Sequence, residues 1–340
     1  RSVLKKFGEK TVISNLKTEL QNRNINKNLK KGILYCLSEY SDSKVIELIK
    51  TQINKNDLDI SIAAADALLK IAKKQSHSFP FNKYFFETVN DFANQYFRLF
   101  CFRLSISNTT GSKLIVDQIV NEMEKILYII LKLVTLSFPN SPIDSHIKNI
   151  ITGNDEDLPY ILEFFDTTFD KDTRKILMPI VDPESDYKEK NIKKEQKKNP
   201  IKGWLKLWSE SASQWKSAIS VDYLMKNKRH DLTYINWDSI NATQIISEIF
   251  KDYEDFDKSI PLEKFQKQTE KTMFTILEKT ILLKTVDLFQ NIPGELLSQV
   301  SQISKAKNFT KDETVFKEGD SGNSMFIVIK GKVAITKGDK

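Results

Sequence analysis

Apolar residues recur every third or fourth position through most of this chain, the spacing of a helix with one buried face. In "NLKKGILYCLSEY" the residues Leu29, Ile33, Leu34 and Leu37 share a face, and "SDSKVIELIKTQI" follows after a short polar break. Ser43 is the expected cap of that second helix, with Glu47 near its start. "NKNDLDISIAAADALLKIAKK" continues with Asp57 or Asp59 as the cap. Its face of Ala63, Ala64, Ala67, Leu68 and Ile71 is small enough to let a neighbouring helix come close. "DEDLPYILEFFDTTFDKDTRKILMPIVD" predicts two helices divided at "DTTFDKD". "SASQWKSAISVDYLMK" predicts another, with Trp215, Ile219 and Leu224 on its apolar side. Between Phe79 and Asn149 lies a more aromatic helical block, read as core packing between long helices rather than a groove for a partner helix.

The period changes near Phe274. "TILEKTILLKTVDLFQNIPGELLSQVSQISK" predicts one helix, a break at "LFQNIPG", and a second short helix that Pro293 starts, with Glu295 in its first turn. After it, "AKNFT", "TVFKE", "MFIVIK" and "KVAIT" read as short strands separated by "KDE", "GDSGNS" and "KG" turns. Gly319, Gly322 and Gly331 are expected to supply positive φ there, and Asp320 is a further turn position. Phe316, Phe326 and Val328 are the expected core of this β-element. Because its strand edges and apolar face would be only half covered, the last forty or so residues are expected to be poorly stable alone.

Composition adds few constraints. With 10 glycines and 9 prolines in 340 residues, helices are favoured over a turn-rich all-β fold. The formal charge of +7 is too mild to point to nucleic acid. Cys36 and Cys101 stand far apart in apolar helical contexts, which suggests neither disulfide framework nor metal site and fits a reducing cytoplasm. The most apolar run, Ile126 to Phe138, is too short to span a bilayer and carries Lys132.

One charge run changes the picture. In "YKEKNIKKEQKKNPIKGWLKLW" the lysines Lys193, Lys194, Lys197 and Lys198 precede Trp204 and Trp208. Lysines beside tryptophan suit an anionic membrane surface, but the segment is read first as a solvated linker entering a helix that buries its indoles, with the membrane surface as the alternative. Catalytic constellations are absent. His77, His146 and His230 are scattered, and "TTGSK" at Thr109 to Lys113 lacks the leading glycine and preceding strand of a phosphate loop. No enzyme, metal site or cofactor is expected.

Two stretches carry resemblances. "DLDISIAAADALLKI" (Asp57 to Ile71) resembles a HEAT-repeat helix, with Ser61 standing where that family often has arginine. "LLKTVDLFQNIPGELLSQV" and "ETVFKEGDSGNSMFIVIKGKVAI" resemble the lead-in helices and first strands of a cyclic nucleotide-binding domain, with Asp312 at a usual glycine turn. The combination is similar to the soluble tail of bacterial membrane proteins related to nucleotide translocases.

The resemblances imply a mainly α fold: a HEAT-like α-solenoid followed by the first half of a β-roll. The expected division is 1–75 (helical repeats), 76–270 (repeats continued, Lys-rich at 187–206) and 271–340 (the β-roll's amino-terminal part). A ligand such as cAMP or cGMP is implied, with its phosphate-binding cassette expected after Lys340. Opening on Arg1 and closing on half a roll, the chain is expected to be a piece of a longer protein, cytoplasmic or the soluble part of an inner-membrane protein. The implied function is a sensor that couples nucleotide binding to a helical scaffold facing a protein partner or attached membrane domain. The alternative is an interaction scaffold whose β-roll binds no nucleotide.

Overall fold

The computed structural model describes residues 9–22, 25–75, 79, 83–138, 141, 143–152, 158–182, 192–193, 200–227, 234–251, 260–265 and 273–337. Among these the protein is mainly α, with no strand. It divides into two compact units, Arg1–Asn108 with Ile119–Trp204, and Thr109–Gln118 with Leu205–Lys340.

The first unit opens with α1 (Glu9–Gln21), α2 (Lys27–Leu37), α3 (Ser43–Lys50) and α4 (Leu58–Gln75). Helix α2 packs on α1, α3 and α4, and α3 also packs on α4. Ile33, Leu34 and Leu37 are buried as expected, but Leu29 is exposed, so the apolar face of α2 is one turn shorter than its pattern. The cap of α3 is Asp42 rather than Ser43: its carboxylate accepts from the Lys44 amide at 2.7 Å. A carboxylate suits the positive end of a helix better than a hydroxyl. Asp57 accepts from the Ile60 amide at 3.2 Å.

Ser61 has a local reason. Its buried hydroxyl donates to the Asn54 carbonyl at 2.6 Å and accepts from the Asn54 amide at 2.9 Å, pinning the incoming loop to α4. An arginine would not fit that fully buried place.

Then come α5 (Lys83–Ile106), α6 (Lys113–Ser137), α7 (Ile143–Thr152), α8 (Leu158–Thr168) and α9 (Lys171–Val181). Phe85, Phe92, Phe97 and Phe102 are all buried, so the aromatic block is core. Each such side chain contributes roughly 1.5–3 kcal/mol by leaving water. The break between α8 and α9 falls where the sequence put it, with Asp170 capping α9.

A polar stripe ties these helices together. On α4, Asp59, Asp66 and Lys73 recur at two-turn spacing. They meet Lys125 at 2.8 Å, the Tyr128 hydroxyl at 3.0 Å, and Asp144 at 2.5 Å. Burial pushes Asp66 above the usual carboxylate range despite Tyr128 and Lys132. Burial would raise Asp59 and Asp144 too, but Lys125 in one case and Lys73 with Lys132 in the other hold them low.

The second unit takes in the second half of α10 (Pro200–Ser209), then α11 (Gln214–Lys226), α12 (Gln244–Phe250), α13 (Leu262–Phe265), α14 (Ile276–Leu283) and α15 (Gly294–Ile303). The expected one-sided face of α11 is corrected: residues 217–225 are all buried, as is Trp215, so α11 is a central helix. It packs on α12, which packs on α13 and α14, and α14 pairs with α15. Phe250 and Phe265 stack at 4.9 Å, with Trp237 edge-on to both. Burial raises the Asp222 carboxyl, with Lys226 opposing at 2.8 Å.

No helix among the described residues is long and apolar enough to cross a membrane.

Candidate functional site in the carboxy-terminal segment

The expected lead-in helices are α14 and α15. Thr275 and Glu278 form a reciprocal capping box at the start of α14. The two helices are tied to one another by the buried hydroxyls of Thr280 and Ser301, 2.9 Å apart. Lys279 donates to the carbonyls of Ser301 (3.3 Å) and Ser304 (2.9 Å), satisfying the end of α15 where the chain leaves it.

From residue 305 to residue 337 the backbone hydrogen bonds are local turns: Glu313 to Thr310, Asp320 to Lys317, Asn323 to Ser321. Side chains reinforce them. The Thr310 amide donates to the Glu313 carboxylate at 2.7 Å, and the Lys317 amide to Asp320 at 2.7 Å. The Thr310 bonds hold the Glu313 carboxyl below its usual range. Three residues take the left-handed conformation: Asp312 (φ 66°), Gly319 (φ 94°) and Gly331 (φ 100°). Gly322 does not, so the expectation of positive φ is corrected there.

The runs between these turns form no β-ladder among the described residues, which corrects the expected strands. The reason is physical: a strand's N–H and C=O groups need a neighbouring strand, and the backbone bonds recorded here close only local turns. Phe316, Phe326 and Val328, the expected core, are 62%, 44% and 53% exposed. Phe316 and Phe326 do stack on each other, at 5.9 Å.

The Lys/Trp patch is corrected at its tryptophan. Trp204 is 5% exposed, stacked at 6.3 Å on Phe102, with the Arg98 guanidinium 5.4 Å from its ring; Trp208 is buried too. Those indoles are core groups, not interfacial anchors. Lys193 is exposed; Lys194, Lys197 and Lys198 lie outside the described residues, as do His77 and His230.

The "TTGSK" loop is a docked turn. Gly111 has φ 70°, the Thr109 and Tyr223 hydroxyls are 2.9 Å apart, and the Asn227 amide donates to the Thr110 carbonyl at 2.8 Å. Its polar groups are engaged by α11 rather than offered to a phosphate. No group of three His, Cys, Asp or Glu side chains among the described residues is placed to hold a metal ion. In the first unit a shallow groove of about 400 Å³ lies between α1 and α3, lined by Lys17, Lys44, Glu47 and Leu48 among others.

Pattern reading missed a junction in the second unit. Lys284 donates to Asp117 at 2.8 Å and to the Gln290 carbonyl at 3.1 Å. The Trp215 indole donates to Gln118 at 3.1 Å, and Ser213 donates to Glu295 at 3.2 Å. A Cβ on Gly294 would lie 2.6 Å from the Trp215 ring. Only Pro293 and Glu295 at the start of α15 were visible as local signals; their partners are distant in sequence.

No protein-family model matches the chain, and no solved structure matches it.

Proposed function

We propose that residues 274–337 are the lead-in helices and first strands of a cyclic nucleotide-binding element, carried on a helical scaffold that passes its state to a partner or attached domain. The observation that carries this reading is the left-handed backbone at Asp312, Gly319 and Gly331, each beside a short β-prone run. Asp312 matters most, because a non-glycine residue adopts that conformation rarely and the resemblance places a turn glycine there.

Roll topology accounts for the missing ladders. In a double-sheet roll the chain doubles back, so early strands pair largely with late ones. Formed turns with no pairing between the runs are what this topology leads one to expect of the early half of such a roll. In this reading residues 274–337 supply the frame of the site; helix N-terminal amides and an arginine are the groups that would hold a cyclic phosphate, and no arginine stands in 274–337.

Calorimetric titration of cAMP, then cGMP, into the product of the complete gene tests the reading. Saturable binding that Gly319→Val weakens while the helical units stay folded is the expected result. No heat and no thermal shift from a folded protein would assign the helices a scaffold role without nucleotide.

A further inference from the structure

The positive charge of the chain is concentrated in one stretch. Residues 188–206 hold eight lysines and two glutamates, a surplus of six where the whole chain carries a net +7. None of these cations is an arginine. Lys193, Lys202 and Lys206 lie among the described residues, and all three are exposed.

The last two stand on α10, whose buried side fixes which face looks outward. Trp204, Leu205, Trp208 and Ser209 are buried. At 3.6 residues per turn the opposite face is Lys202, Gly203, Lys206 and Leu207, and all four are exposed. Leu207 is 61% exposed. A lone surface leucine needs no explanation elsewhere. Here it is the one apolar side chain on a face otherwise made of lysine and glycine. Gly203, one turn earlier, adds no bulk: even a Cβ there would meet no atom within 4 Å. Glu210, just past the helix, accepts from the Asn236 amide at 2.8 Å.

We infer that the outward face of α10 docks on an anionic lipid surface, with Leu207 entering the headgroup boundary and Lys202 and Lys206 beside it at the lipid anions. This differs from a Lys/Trp patch: both indoles are in the core, and the anchor is an aliphatic side chain on the other side of the helix. The charge of the preceding stretch adds attraction over about a Debye length, which does not depend on where each lysine stands. The inference does not rest on the nucleotide reading above.

Three features favour lipid over nucleic acid. Bidentate grip on phosphates and base edges is guanidinium chemistry, and the cations here are all lysine. The outward face of α10 carries no aromatic ring on which a base stacks. Diffuse lysine charge around one aliphatic group is the chemistry of a surface-bound basic helix.

Co-sedimentation of the chain with vesicles of phosphatidylcholine containing about one-quarter phosphatidylserine tests this, beside vesicles of phosphatidylcholine alone. Binding to the anionic vesicles only, weakening as salt rises, is the expected result. Lys202→Gln with Lys206→Gln is expected to weaken it about twentyfold, roughly fivefold for each lysine. Leu207→Ser is expected to weaken it several-fold, and Leu207→Phe to keep it. These side chains are exposed, so the variants are expected to melt with the parent chain. No binding to the anionic vesicles overturns the inference, as does binding that the α10 variants leave unchanged. Equal binding to phosphatidylcholine alone traces to the exposed apolar run at 325–329 and overturns it too. Tighter binding to single-stranded RNA, indifferent to Leu207→Ser, assigns the basic stretch to nucleic acid instead.

Discussion

Two neighbouring stretches, residues 276–303 and 304–337, are both rich in apolar side chains, yet one is packed and the other lies open. Helices α14 and α15 satisfy most of their backbone within themselves, so a few side-chain bonds and one shared face complete them. The following segment has β-prone runs and formed turns, but a strand can satisfy its backbone only against another strand. The difference teaches that turn geometry is local and β-structure is not. Asp312, Gly319 and Gly331 take their positive φ with no sheet around them.

The largest expected effect is at an aromatic core residue set against an aromatic of the open segment. Phe250→Ala, at a fully buried ring stacked on Phe265, should lower stability by about 3–5 kcal/mol. Phe326→Ala in the same chain should change it by less than about 0.5 kcal/mol. Urea unfolding of both variants checks the contrast, and a large loss at Phe326 would mean the segment is packed after all.

Glycine substitutions sharpen it further. Gly294→Ala drives a methyl into Trp215 and should cost about 1–3 kcal/mol. Gly32→Ala, inside α2 with nothing within 4 Å of its added Cβ, should stabilise by roughly 0.5–1 kcal/mol. Thermal melts of the pair should move in opposite directions. Thr275→Ala removes the capping box of α14 and should cost about 1 kcal/mol. Thr310→Ala, the corresponding turn residue of the open segment, should leave the melting temperature unchanged.

The smallest effect is one of pH. Asp144 is held below its ordinary 3.8 in the folded state by Lys73 and Lys132 against the opposing pull of burial. Its contribution is therefore present above pH 3.8 and fades as pH falls through the lower folded value. Being part-exposed, it should be worth no more than about 1 kcal/mol. Asp144→Asn should destabilise at pH 7 and match the parent chain in strong acid. Asp66, raised by burial, works the other way: its ionisation becomes unfavourable to the fold as pH rises through the raised value.

Much of the helical fold was legible from periodicity because its causes are local. The α8–α9 break, the α14–α15 pair and the turns at Asp312, Gly319 and Gly331 all followed from residues within a few positions. What periodicity could not show depends on distant partners. The Asp117–Lys284 pair spans 167 positions, and the all-round burial of α11 comes from neighbours that its own pattern does not name. Trp204 illustrates the same limit: burial of its indole was the favoured reading, but the ring it stacks on, Phe102, is far back in the chain and left no local signal.

The most direct test of the account is backbone amide protection through residues 304–337 in the product of the complete gene, with and without cAMP. Protected amides along the runs at 314–318, 325–330 and 332–336, strengthened by nucleotide, are the predicted result. Amides that exchange at free-peptide rates with and without nucleotide would contradict it.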